Sequence, residues 1–230
     1  MTGWAEYALA LALFVASHFL PRLGGLRERL IAALGRRGYF GLYGLLSTLL
    51  LVWLVSAAIR APYVELWAQA PWARWVPNLA MPVALVLVAC GLGIRQPFTL
   101  GGRKGAAFDP SDPGLAAISR HPLFLALALW AGAHLFPNGD LAMVLIFGSF
   151  SLMALAAIPA FDARARRVLG ARAAGFFSHT AILSLAPLAR PEWRRRNGRR
   201  LALRAALGLA LWLAALLLHE ALIGVVPYPS

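Results

Sequence analysis

Two histidines mark the ends of one apolar run. Residues 114–140 read GLAAISRHPLFLALALWAGAHLFPNGD, with Arg120-His121-Pro122 at the start and His134 near the end. Pro122 lacks an N–H and has a pre-set φ, so it fits the first turn of a helix, with His121 as the cap. An imidazole at the mouth of a membrane helix is a functional-site candidate, because ionisable groups are costly there. The two rings are separated by roughly 20 Å along a helix and about 220° around it, so they cannot hold one metal ion and each needs a partner from another helix.

The elements that must position them are membrane spans. Hydrophobic residues make up 60% of the 230 residues and the mean hydropathy is +0.70, above the roughly half-apolar composition of a soluble domain. Six apolar runs, 3–20, 39–59, 75–94, 121–136, 141–160 and 201–225, approach or reach the length that crosses a ~30 Å hydrocarbon core. The first lacks a basic leader and reads as a retained span. Asn138-Gly139-Asp140 is a turn that makes the fourth and fifth runs a hairpin, and Asp140 suits the cap of the fifth helix. The expected fold is all-α, a polytopic membrane helix bundle of about six transmembrane helices over residues 1–230, with no repeat and no soluble domain.

The net charge of +13 follows topology rather than nucleic-acid binding. Arg22, Arg27, Arg29, Arg36 and Arg37 fall between the first two runs, and Arg95, Arg103, Lys104 and Arg120 between the third and fourth. A further set from Arg164 to Arg204 precedes and enters the last run, while Arg60 and Arg74 fall on the opposite side. By the positive-inside rule both termini lie outside. Trp4, Tyr63, Trp67, Trp72 and Trp75 gather at the outer ends, as an interfacial belt does. Ala128-x-x-x-Gly132 permits close helix approach, and the arginines of 162–177 and 194–200 suit an amphipathic helix and anionic headgroups.

This topology gives each histidine a depth. His18 and His121 share the inner level, His134 and His219 the outer, and His179 lies in an inner loop. A haem iron accepts two imidazoles from opposite sides, so His18 with His121 is a candidate ligand pair, and Arg22, Arg37 or Arg120 could meet the propionates. The competing reading is that each ring only hydrogen-bonds a neighbouring carbonyl or hydroxyl. His134 with Glu220-flanked His219 reads better as an interfacial cluster. Glu6 and Glu65 are placed to pair with Arg60 or Arg74, and Asp162 begins the amphipathic segment. One cysteine, Cys90, excludes an internal disulfide and Cys-rich metal sites. No HExxH, phosphate loop or Ser/His/Asp set at one depth is present, and no catalytic residue is assigned.

Ser17-His18 with Pro21-Arg22, Ala61-Pro62-Tyr63-Val64-Glu65-Leu66-Trp67, Ile118-Ser119-Arg120-His121-Pro122 and Asn138-Gly139-Asp140 occur in an order that resembles the NnrU family of bacterial membrane proteins. The resemblance covers nearly the whole chain. It implies the bacterial inner membrane, haem b held by His18 and His121 with Arg22 and Arg120 nearby, and an activity like that of the related ζ-carotene isomerases, redox-dependent cis–trans isomerisation of a hydrophobic polyene. An accessory or haem-handling role in nitrite and nitric oxide reduction is the alternative it implies. Arg120-His121-Pro122 followed later by Asp162 also looks like the isoprenylcysteine carboxyl methyltransferases, which use S-adenosylmethionine. There a Glu-Glu pair stands where this chain has Phe161-Asp162, so that resemblance implies a shared framework.

Overall fold

The structure, a computed structural model, describes residues 3–103 and 105–228 and is 75% helical. Its helices are α1 (Gly3–Phe19), α2 (Leu26–Arg60), α3 (Trp75–Gly91), α4 (Pro122–Leu135), α5 (Leu141–Leu169), α6 (Ala173–His179), α7 (Ala186–Ala189) and α8 (Pro191–Ile223). Each of the six apolar runs is helical. Two helices start well ahead of their runs, because hydropathy reads only the lipid-facing part of a helix. Arginine is a good helix former, so the basic flanks continue the same rods: α2 from Leu26, interrupted where Gly35 takes φ 68 and ψ 161, and α8 from Pro191.

Four helical stretches, Leu26–Arg60, Pro71–Gly91, Leu141–His179 and Pro191–Ile223, are long and apolar enough to cross a membrane. At 17 and 14 residues, α1 and α4 are shorter than the ~20 residues a full crossing needs. Only 6% of the apolar window in α8 is buried, and Leu217 and Leu222 are more than 70% exposed. Such a surface suits lipid and not water. The protein is an all-α membrane helix bundle.

Contacts divide the chain into two compact units, Met1–Ala68 with Gly139–Ile146, and Gln69–Asn138 with Phe147–Ser230. In the first, α1 packs on α2, and Tyr7 and Ala10 of α1 and Leu54, Ala57 and Ala58 of α2 are buried. Arg60 and the Trp53 indole both donate to Glu6, at 2.5 and 3.0 Å, which is the expected pairing of Glu6. The extended segment after α2 forms an antiparallel bridge with the start of the α5 turn, Glu65 opposite Asp140. Leu66 N–H donates to the Gly139 carbonyl at 2.7 Å and Leu141 N–H to the Val64 carbonyl at 2.9 Å. A Cβ at Gly139 would strike the Trp67 carbonyl oxygen, so only glycine fits there. Asp140 Oδ1 caps α5 by accepting from Met143 N–H at 3.1 Å, as its position predicts, and the buried Tyr7 hydroxyl donates to the Ala142 carbonyl at 2.7 Å.

In the second unit α3 packs on both α4 and α8. Trp193, Cys90, Ile94, Leu115 and Ala116 form a buried cluster, and Ser151 donates to the Ala128 carbonyl at 3.2 Å with its hydroxyl beside Gly132. Arg204 of α8 closes the C-terminal end of α3. One of its guanidinium nitrogens donates to the carbonyls of Ala89, Cys90 and Leu92 at 2.7, 3.1 and 2.6 Å, groups a helix leaves without internal partners. Arg204→Leu is expected to destabilise the protein by about 0.5–1.5 kcal/mol, the net worth of hydrogen bonding at this partly exposed helix end, read as a lower thermal unfolding midpoint in detergent; an unchanged midpoint would show that water replaces the arginine.

Candidate functional site: a buried arginine, histidine and aspartate

Everything at this site belongs to the second unit. Pro122 occupies the first turn of α4 and His121 the cap, with φ −129 and ψ 49. The N–H of this non-helical residue donates to the Ser119 hydroxyl oxygen at 3.2 Å. The ring is 1% exposed. Its Nε2 lies 2.8 Å from Asp162 Oδ1 and its Nδ1 3.0 Å from the Thr99 hydroxyl. Because a carboxylate only accepts, Nε2 carries the proton, and in the neutral ring the Thr99 hydroxyl donates to Nδ1.

Arg120 grips the same carboxylate. Its Nε donates to Asp162 Oδ1 at 2.9 Å and a terminal nitrogen to Oδ2 at 2.6 Å, the two-pronged match of guanidinium to carboxylate. Asp162 reaches this point because α5 continues past its apolar run to Leu169. The Arg120 guanidinium also sits 5.1 Å from the centre of the Phe177 ring, within range of a cation–π contact. Its main chain is held as firmly: Arg120 N–H donates to the Ala181 carbonyl at 2.7 Å, and Gln96 Nε2 donates to the Arg120 carbonyl at 2.7 Å. Gln96, Thr99, Ser119, Arg120, His121 and Thr180 are all buried. Three loops and two helices thus converge on a fully hydrogen-bonded charge network, the only way such groups are tolerated away from water.

The chemistry of this array is that of a hydroxyl, an imidazole and a carboxylate in sequence, with an arginine holding the carboxylate ionised. Thr99 and Gln96 carry no signal in the sequence, since they sit in a loop without periodicity. Asp162 was legible as the start of an amphipathic segment and in the methyltransferase resemblance, but not as the partner that Arg120 and His121 share. The other histidines are bonded locally. His134 Nδ1 donates to the Trp130 carbonyl and His219 Nδ1 to the Val225 carbonyl, at 2.7 and 2.8 Å, while His179 is exposed. Glu65 accepts from the Tyr63 hydroxyl at 3.3 Å.

His18 belongs to the first unit, where Nδ1 donates to the Phe14 carbonyl at 2.8 Å. The Arg22 side chain and Lys104 lie outside the described residues. An iron at His121 would have to take a nitrogen from Asp162 or Thr99, and Arg120 is committed to Asp162 rather than to a propionate. As arranged, His121 and Arg120 do not fit the haem b that the resemblance implies. Among the described residues no group of three or more His, Cys, Asp or Glu side chains is placed to hold a metal ion.

The family model described as NnrU protein matches residues 6–227. The chain belongs to the NnrU family. Comparison with curated proteins and with solved structures gave no match. Two of the segments that carry the resemblance in sequence, 61–67 and 138–140, are the ones joined by the Glu65–Asp140 bridge. A third, 118–122, carries Arg120 and His121 of the buried charge network.

Proposed function

We propose that the Thr99–His121–Asp162 array is the working centre of this membrane protein, a general acid–base site acting on an amphiphilic substrate that arrives from the bilayer. The observation that carries this reading is the imidazole bridging a hydroxyl and an ionised carboxylate. In that order the carboxylate fixes the tautomer and stabilises the imidazolium, while the far nitrogen accepts a proton from the hydroxyl beside it. A substrate hydroxyl taking the place of Thr99 would meet the same base. Arg120 is a positioning residue: it holds Asp162 in register and keeps it charged. The bacterial inner membrane, with the arginine-rich loops on the cytoplasmic side and both termini outside, is the setting the charge distribution supports.

Lipid extracts from cells carrying wild type, Thr99→Val or His121→Gln at equal membrane levels test this. A compound converted by wild type and not by His121→Gln is expected, with slower conversion by Thr99→Val, whose imidazole loses the hydroxyl it faces. Extracts identical for all three would rule out catalysis. The haem b reading, with polyene isomerisation or a role in denitrification, rests on the resemblance and makes an opposing prediction: an absorption band of purified protein that shifts on reduction and disappears in His121→Gln. That band would replace the acid–base proposal.

A further inference from the structure

We infer that a cavity beside the first turns of α8 binds the phosphate of an anionic phospholipid headgroup. The cavity, about 750 Å³, is walled by the 110–113 loop, residues 178–190 and the start of α8. Arg190, Arg195 and Arg196 line it. Arg196 donates to the Ser111 carbonyl at 3.2 Å; Arg190 and Arg195 make no side-chain hydrogen bond or ion pair among the described residues. The N-terminus of α8 has no side-chain cap, so its free N–H groups and positive dipole end add to the pull on an anion. The opposing charges are Glu192 and Asp112, and Asp112 is already engaged by Arg95 at 3.6 Å and by the Asn197 amide at 3.4 Å.

Asn197 is 4% exposed and on the cavity wall, and its Oδ1 accepts no hydrogen bond among the described residues. It can accept a hydrogen bond from a hydroxyl of a bound headgroup. The level of the cavity argues for lipid over a soluble phosphate. The apolar run of α8 begins at Leu201, about 6 Å along the helix from Asn197. Leu203 and Leu207 stand on the same helix face as Arg196, seven and eleven residues on, and are 63% and 54% exposed. A phosphate held by the arginines would thus lay its acyl chain along an unbroken apolar stripe.

The test uses the full chain in a nonionic detergent, with thermal unfolding and native mass spectrometry as readouts. Short-chain phosphatidylglycerol is expected to raise the midpoint and remain bound, with short-chain phosphatidylcholine and inorganic phosphate doing much less. Arg190→Gln/Arg195→Gln is expected to weaken phosphatidylglycerol binding roughly tenfold or more, whereas Arg167→Gln, exposed and away from the cavity, leaves it unchanged. Equal stabilisation by inorganic phosphate would make the ligand a soluble one. Indifference to the headgroup, or binding that survives the double substitution, would overturn the assignment.

Discussion

Asp162→Asn is expected to destabilise the protein by about 3–5 kcal/mol, the cost of leaving one member of a buried ion pair without its counter-charge. The side chains of Arg120 and Asp162 are only 10% and 14% exposed, so solvent screening recovers little. Asparagine keeps the size of the side chain and offers a carbonyl oxygen to His121 Nε2–H; what it removes is the charge facing the guanidinium. The loss therefore isolates the Arg120 interaction from cavity formation. Adding Arg120→Met to Asp162→Asn is expected to restore part of the midpoint, because a buried pair can often be exchanged for apolar groups while half of one cannot be kept. A double variant less stable than Asp162→Asn, or a single variant unfolding with wild type, would show that water reaches the network and that the pair is not a pin.

Much of the fold could be read from residue order because lipid imposes one simple demand, that every backbone group be satisfied within an apolar helix. That demand is why all six runs are helical and why Pro122 and Asp140 mark helix starts. The extensions of α2 and α8 escape the same signal, since arginine-rich helix and arginine-rich loop have the same hydropathy. The site was half legible. His121 and Arg120 stood out as polar groups at the head of an apolar run, but what they bind depends on contacts that chain order does not encode. Asp162 reaches them because α5 carries on beyond Ala160, and Thr99 because the 94–103 loop folds back, with Gly93 N–H donating to the Gly101 carbonyl at 2.9 Å and Arg103 N–H to the Ile94 carbonyl at 2.9 Å. The hydroxyl, imidazole and carboxylate do not show as a set along the spans, because the hydroxyl is a threonine in a loop.

Gly208→Ala is expected to force α8 away from α3. An added Cβ would lie 2.6 Å from Val86 Cα, 2.7 Å from Val86 N and 2.8 Å from the Leu85 carbonyl oxygen. All three are backbone atoms, so no side chain can rotate aside and the helices themselves must separate. Close backbone approach at a small residue is the usual basis of helix association in lipid, where apolar side chains gain little by meeting one another. Overpacking of this kind costs about 1–3 kcal/mol, and here it has a second consequence. Arg204 lies one turn before Gly208 on α8 and closes the end of α3 through three carbonyls. If α8 moves outward, those bonds lengthen and the arginine loses its value. Gly208→Ala and Arg204→Leu are therefore expected to be non-additive, the double variant less destabilised than the sum of the singles, with a coupling within the range of about 0.5–3 kcal/mol seen for residues that share a backbone shift. Thermal unfolding of the four proteins in one detergent measures it. Strict additivity would mean that the contact at Gly208 relaxes without moving the helix, and that the cap on α3 is held by the arginine's own reach.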